Sequence, residues 1–409
     1  MCSYCPIAPL KNTIRKLLSP NLVYFYPFQS ATDKIIDMSD LMKVKIGRIA
    51  ASAAFWMAIV VVYLQNRGLS LSQIYQMLSV YYIAVVLFEF PTGVIGDYSS
   101  HRISVMLGHF ILGIAFIALA FGGGFSYYLA ILLFAALGIA LSSGSDTALL
   151  HSLSKDFKQD QSQIRFYTSL VAVITTTLGS IIASYNFAIP FIATGIFNFV
   201  TAFLLLSMKN TNHVRKEGNI FKTAFRALEY VKNSKKLISI MIISGVIGAF
   251  SFSIKWFYNP LLQMIDVPLS LWGVLISIAL LTPLIGVKMF QKSKSGSLLF
   301  ALVLFIVSVV PIGIAGLSLI PLVFLYFNSA IRGYLEAFLD VETNNAIETS
   351  ERASILSLNN LLIRLGASAY TPIAGLVLEK NSFIVMTSGT AILIFLLVAY
   401  PIFLLNIRK

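Results

Sequence analysis

The chain has 409 residues, of which 57% are apolar and 11% charged, and its mean hydropathy is +0.84. A soluble domain carries about 25% charged residues, so this composition excludes a soluble enzyme or binding module and describes an integral membrane protein. The formal charge of +13 would suit a nucleic-acid partner only if the basic residues clustered on one soluble surface, and they do not.

Residues 1–42 lack the apolar core and small-residue cleavage site of a signal peptide and are expected to form a cytoplasmic N-terminal extension. Cys2 and Cys5 are the only cysteines. Without a second pair they do not complete a tetrahedral zinc site, so neither metal nor cofactor is expected; reversible acylation stays open. From there on, apolar runs of spanning length recur with short polar breaks. The expected spans are 46–65, 74–95, 103–122, 127–148, 165–185, 188–208, 238–261, 270–290, 297–316, 319–340, 355–377 and 383–405. Helices must form them, because lipid leaves every backbone group to be satisfied within the segment.

Alternating the loops puts 25 Lys/Arg on one side and only Arg67 and Lys380 on the other, with Lys255, Arg332 and Arg364 inside spans. Both termini are therefore expected inside by the positive-inside rule, in a cytoplasmic (inner) membrane. The longest polar break divides the chain into a six-helix bundle at 43–208, a basic linker at 209–236 and a second bundle at 237–409. Phe221, Phe225 and Leu228 in the linker follow helical spacing, which fits either a basic amphipathic helix on the inner leaflet or a solvated strap.

Between the second and third spans the chain reads Glu89-Phe90-Pro91-Thr92-Gly93-Val94-Ile95-Gly96-Asp97, then His101-Arg102. Gly93 and Gly96 let two helices approach closely. Asp97 can accept hydrogen bonds from a helix N-terminus across a seam and so latch one conformation. This stretch resembles the Gly-x-x-x-Asp loop motif, followed by basic residues, of major facilitator superfamily (MFS) transporters. The resemblance covers roughly residues 43–409 and implies an all-α membrane protein of twelve transmembrane helices in two six-helix pseudo-symmetric halves. It also implies a conformational latch at Gly93, Gly96, Asp97 and Arg102. Where the family usually has Arg or Lys after the turn, this chain has only His101 and Arg102, which implies a weaker or pH-sensitive latch.

Residues 142–150, Arg332-Gly333, residues 352–358 and Arg364 resemble the bacterial drug-efflux-like members of that family. The fifth span departs from the antiporter pattern: it reads Thr175-Thr176-Thr177-Leu178-Gly179-Ser180, without the Gly-Pro and paired glycines of drug–proton antiporters. Thr282-Pro283-Leu284-Ile285-Gly286 near the end of span eight faintly repeats the Pro/Gly punctuation that ends span two.

A charge at the bilayer centre costs about 2.5–3.5 kcal/mol, so each one needs a partner or a task. Glu89 has no base nearby in sequence and is either a proton carrier or a structural hydrogen-bonding group beside Pro91, with Glu336 and Asp340 as further proton-coupling candidates. Arg332 and Glu336 are spaced i, i+4 and can neutralise each other. Lys255, in Ser253-Ile254-Lys255-Trp256-Phe257-Tyr258-Asn259-Pro260, either meets an anionic substrate or pairs with Glu336 or Asp340, and Asn259-Pro260 suggests a bent seventh span. Phe55 and Trp56 in span one, Trp256 and Tyr258 in span seven, and Asp146, Arg332 and Arg364 complete the substrate-cavity candidates. Most of the remaining rings suit lipid packing and interface anchoring.

No Walker-type phosphate loop occurs, and the four histidines and two cysteines form no catalytic constellation. The expectation is a secondary transporter, not an enzyme, working as a monomer by alternating access and coupling export of small amphipathic compounds to protons. Uptake of a specific metabolite is the alternative. A membrane sensor would need a larger soluble domain, and a lipid-acting enzyme would need more than the acidic Asp340-Val341-Glu342 and Glu348–Glu351 stretch.

Overall fold

The computed structural model describes residues 38–98, 100–208, 228–293, 297–314, 319–347, 352–380 and 382–406, with only backbone for Phe90, residues 93–98, Arg352, Ala353 and Asn406. The amphipathic pattern at Phe221 and Phe225 lies outside the described residues, as do residues 1–37 and the side chain of Asp97. Among the described residues there is no strand.

Among the described residues twelve spans can be traced, and the first is discontinuous. It consists of α1 (Asp40–Ala51) and α2 (Val60–Asn66), separated by irregular backbone at 52–59. Spans two and three are α3 (Leu71–Tyr98) and α4 (His101–Phe121). Span four breaks into α5 (Phe125–Ser142) and α6 (Ser145–Leu153) at Gly144, whose φ of +74° is open to glycine and strained for other residues. Spans five to seven are α7 (Phe157–Ala183), α8 (Ala188–Leu206) and α9 (Lys235–Met264). Span eight divides at Pro283 into α10 (Leu269–Leu281) and α11 (Pro283–Lys292). Span nine, α12 (Leu298–Val309), ends in a 3₁₀ turn at Val310–Gly313. The last three are α13 (Ile320–Asn345), α14 (Arg352–Lys380) and α15 (Phe383–Asn406).

Nine segments among the described residues are long and apolar enough to cross a membrane by themselves. The other three fall short for identifiable reasons: span one is broken, span nine is short, and α13 carries Arg332, Glu336, Asp340 and Glu342.

The odd-numbered spans one, five, seven and nine start with a side-chain cap, each accepting a hydrogen bond from a first-turn amide: Ser39, Asp156, Ser234 and Ser297. Their starts sit beside the ends of even-numbered spans on one shared face. Lys43 Nζ donates to Ser207 O at 2.9 Å and Arg102 to Met208 O at 2.7 Å, so two cations meet the carbonyl end of α8. Lys236 pairs with Glu342 at 3.2 Å in the second half. This is the basic face; the opposite one is called the far face below. Large apolar side chains such as Leu87, Phe110, Phe166, Leu284 and Phe403 point outward around the bundle, where lipid would cover them.

Candidate functional site

Between the two halves lies a cavity of about 370 Å³ lined by spans one to four, six and seven. The break in span one builds its wall. Residues 51–54 and Trp56 line the cavity, and side chains from other spans take the places of the missing intrahelical partners. The Ala54 amide donates to Thr175 Oγ1 at 2.8 Å, and Thr176 Oγ1 donates to the Ala54 carbonyl at 3.3 Å. Asn259 Oδ1 accepts from the amides of Val61 at 3.2 Å and Val62 at 3.4 Å. Irregular backbone at membrane depth is tolerated only with such partners.

The seventh span is helical throughout. α9 runs continuously through Pro260, and Asn259, instead of marking a break there, caps α2 across the interface. The 3.6-residue period explains the placements around it. Phe252, Lys255, Trp256 and Asn259 share the face turned to the first half, whereas Tyr258, about 200° from Trp256, is buried inside the second half against a small void bordered by Phe250 and Leu261. Phe55 is likewise not among the cavity-lining residues: its ring packs on Phe197 at 5.8 Å while Trp56 faces the cavity.

The far face is closed. Ser72 N and Ser70 Oγ donate to Glu379 at 2.9 and 3.1 Å, Tyr75 OH donates to Trp256 O at 3.0 Å, and Ser180 Oγ donates to Ser270 O at 3.2 Å. Gly273 lets α10 lie against α7 so closely that a β-carbon there would stand 2.4 Å from the Thr176 carbonyl oxygen. Toward the basic face the cavity continues into an open vestibule of about 470 Å³, sharing Ala51, Ser52, His109, Ile139 and Ser142 with it and bordered by Arg48, Asp146 and Arg165. The structure is therefore open on the basic face and sealed on the far face. A second apolar groove between spans seven, eleven and twelve opens sideways along exposed Ile242, Ile373 and Leu393, and belongs to the lipid-facing surface.

Among the described residues the membrane charges fall into ion pairs, except Lys255 and Asp340. Asp146 Oδ2 meets Arg48 Nε at 2.8 Å in the vestibule, where Gln161 also accepts from Arg48. α1 carries Arg48 into the vestibule. Glu89 meets Arg364 at 3.1 Å across the seam between spans two and eleven, an ion pair whose angles are too poor for a hydrogen bond. Arg332 and Glu336 stand 4.0 Å apart, Asp340 continues their helix face, and Arg165 is the cation that acts on Asp340. Lys255 forms no ion pair with Glu336 or Asp340. Its Nζ lies 4.1 Å above the Phe252 ring and 5.4 Å from the Trp256 ring centre.

Four cavity residues escaped a sequence reading that weighed formal charges and tryptophans: His109, Asn198, Tyr82 and Phe116. A histidine inside Leu107-Gly108-His109-Phe110 and an asparagine inside Phe197-Asn198-Phe199 were the signals available. Asn198 Nδ2 donates to Thr194 O, which leaves its Oδ1 to accept from His109 Nδ1 at 3.0 Å. Trp256 Nε1 donates to the Tyr82 hydroxyl, joining span seven to span two. Trp56 is packed on Phe116 and Trp256, at 5.6 and 5.9 Å between ring centres. Arg102, expected in the latch, holds the end of α8.

The model of the Major Facilitator Superfamily matches residues 46–371. The chain belongs to that superfamily. Its fold is similar to that of the nucleoside transporter NupG, with a TM-score of 0.75 and 14% identity over 90% of this chain and 99% of that one. A variant of NupG gives 0.76 and 16%, covering 90% and 100%. An inward-facing, occupied bacterial homologue of the human lysosomal transporter Spinster gives 0.67 and 11%, covering 93% and 97%. No curated protein sequence matches. At such identities the solved structures show the fold alone; membership of the family makes this chain a multi-pass secondary transporter.

Proposed function

We propose that this MFS protein is a proton-coupled antiporter that exports small amphipathic compounds from the cytoplasm across the inner membrane, as a monomer with both termini inside. The observation that carries the reading is the cavity at the interface of the halves, open through the vestibule on the Lys/Arg-rich face and sealed opposite. The charge bias makes that open face cytoplasmic. Solutes enter past Arg48 and Asp146 and reach the aromatic wall of Trp56, Phe116 and Trp256. Rocking of the halves then breaks the far-face bonds and closes the vestibule.

Glu89 is the proton carrier in this scheme. Its carboxylate holds Arg364 across the seam; protonation removes that attraction and frees spans two and eleven to move. Glu336 and Asp340 are secondary candidates at the basic face. The Gly93, Gly96 and Asp97 motif, followed by Arg102, acts as the latch in the same scheme, and residues 209–236 tether the two bundles. Membership of the drug-efflux-like branch is supported by residues 142–150 and by Arg332-Gly333.

Uptake of a metabolite is the second reading, supported by the fifth span, which lacks the antiporter Pro and Gly-Gly pattern, and by the likeness to a nucleoside transporter. Everted vesicles with an acidic interior separate the two. Added cationic, neutral and anionic amphiphiles are expected to dissipate the gradient only when the protein is present, and Glu89→Gln is expected to abolish the effect. Protein-dependent accumulation in intact cells, with no dissipation in everted vesicles, would establish uptake instead. An unaltered response in Glu89→Gln would remove Glu89 as carrier.

A further inference from the structure

The aromatic wall of the cavity and its one uncompensated cation together define a ligand. Trp56, Phe116, Phe252 and Trp256 line a space of about 370 Å³, within the range that holds small organic ligands. No Asp or Glu is among the lining residues of that central space. Arg48, Arg364 and Arg332 each have a carboxylate within 4.0 Å, at Asp146, Glu89 and Glu336. Among the described ion pairs none includes Lys255, and the charges that act on it most are those of Arg332 and Arg364, of its own sign.

A lone ammonium at this depth is costly, and ring faces offset only part of that cost. A ligand that brings an anion to Lys255 and a flat ring to the tryptophans supplies the missing counter-charge and extends the aromatic cluster. A cation, in contrast, would find no carboxylate in the central cavity and would meet Lys255 with like charge.

We infer that the central site takes planar aromatic monoanions, typically one- or two-ring carboxylates, with Lys255 as the counter-charge and Trp56 and Trp256 as the stacking surface. This rests on the transport reading above and narrows its amphipathic substrates to one charge class.

The test uses the full-length protein reconstituted in lipid nanodiscs and in proteoliposomes. Quenching of tryptophan fluorescence is titrated with matched triplets: benzoate, benzamide and benzylamine, then the corresponding naphthalene and indole series. The carboxylates are expected to bind about tenfold more tightly than the amides, as a bond to a charged group implies, and the amines more weakly still. Lys255→Met is expected to erase the carboxylate preference and Lys255→Arg to keep it. Preference for the amide or amine, no binding by any carboxylate, or a preference that survives Lys255→Met would overturn the assignment. The wild-type ranking decides the charge class even if Lys255→Met does not fold. Counterflow in the proteoliposomes separates the two readings. Carboxylates that bind but never cross would sink transport and leave the site, whereas neutral compounds that bind and cross would sink the site and leave transport.

Discussion

Two of the seams that join the halves are built differently. Spans two and eleven are bonded from Ser72 with Glu379 on the far face, through Ser79 with Ser368, to Glu89 with Arg364 well toward the basic face. Ser72 and Glu89 are 17 helical residues apart, roughly 25 Å of contact. Spans five and eight are bonded only by hydroxyls and backbone near the far face, from Ser180 with Ser270 and Gly273 to Thr177 and Val173 with Ser277, roughly 10 Å. Below that level α7 turns Ile164, Arg165 and Thr168 to the vestibule. The long seam ends in an ion pair and the short one has none, so a moving proton has a target in the first and the second parts by exchanging weak bonds for water.

The largest effect is expected where the short seam has no slack. Gly273→Ala sets a β-carbon against the backbone of Thr176 and Thr177, and relief requires α7 and α10 to separate. Overpacking of this kind costs about 1–3 kcal/mol. The closed far face should lose its population accordingly. A cysteine at Ser270, in a background lacking Cys2 and Cys5, should react with a membrane-impermeant reagent about tenfold faster than without the glycine change. An unchanged rate would mean that this seam does not gate the far face.

The long seam makes the next prediction. Removing only Glu89 leaves Arg364 with a poorly compensated charge and should cost about 1–3 kcal/mol, less than for a fully buried pair because both side chains are about a third to a quarter exposed. Glu89→Leu with Arg364→Leu should recover most of the thermal stability while accumulation against a gradient stays lost. Recovery of both would make the pair a structural clamp with no part in coupling.

The two seams also show how much was readable beforehand. The twelve crossings and the division into halves follow from apolar run lengths, because lipid leaves the backbone few alternatives. Trp56, Trp256, Lys255 and Asp146 reach the cavity or its vestibule as their residue types suggested. The break in span one was not readable. Ala50-Ala51-Ser52-Ala53-Ala54 has high helix propensity and no proline, and what displaces the helix there is the distant hydroxyls of Thr175 and Thr176 and the amide of Asn259. The same Thr-Thr-Thr run, which looked like a missing transport motif, is the partner of that break. Glu89 looked isolated because Arg364 lies in the other half of the chain, and a pairing across such a separation leaves no periodic trace.

The smallest expected effect is also the most discriminating for the short seam. Thr177 Oγ1 and Ser277 Oγ lie 3.2 Å apart, and Ser277 also donates to Val173 O at 3.1 Å. A neutral hydrogen bond contributes about 0.5–1.5 kcal/mol, and Thr177→Val keeps the shape of the side chain while removing its hydroxyl. The double-mutant cycle with Ser277→Ala should therefore give a coupling of about 0.5–1 kcal/mol in the far-face opening equilibrium, read from cysteine labelling at Ser270. The sign is fixed by geometry: each single change favours the state with the far face open, and the double change opens it by less than the sum. Strict additivity would mean that the two hydroxyls do not hold each other in the membrane, and the short seam would then rest on the packing of Gly273 and on the bonds of Ser180 and of Ser277 to Val173.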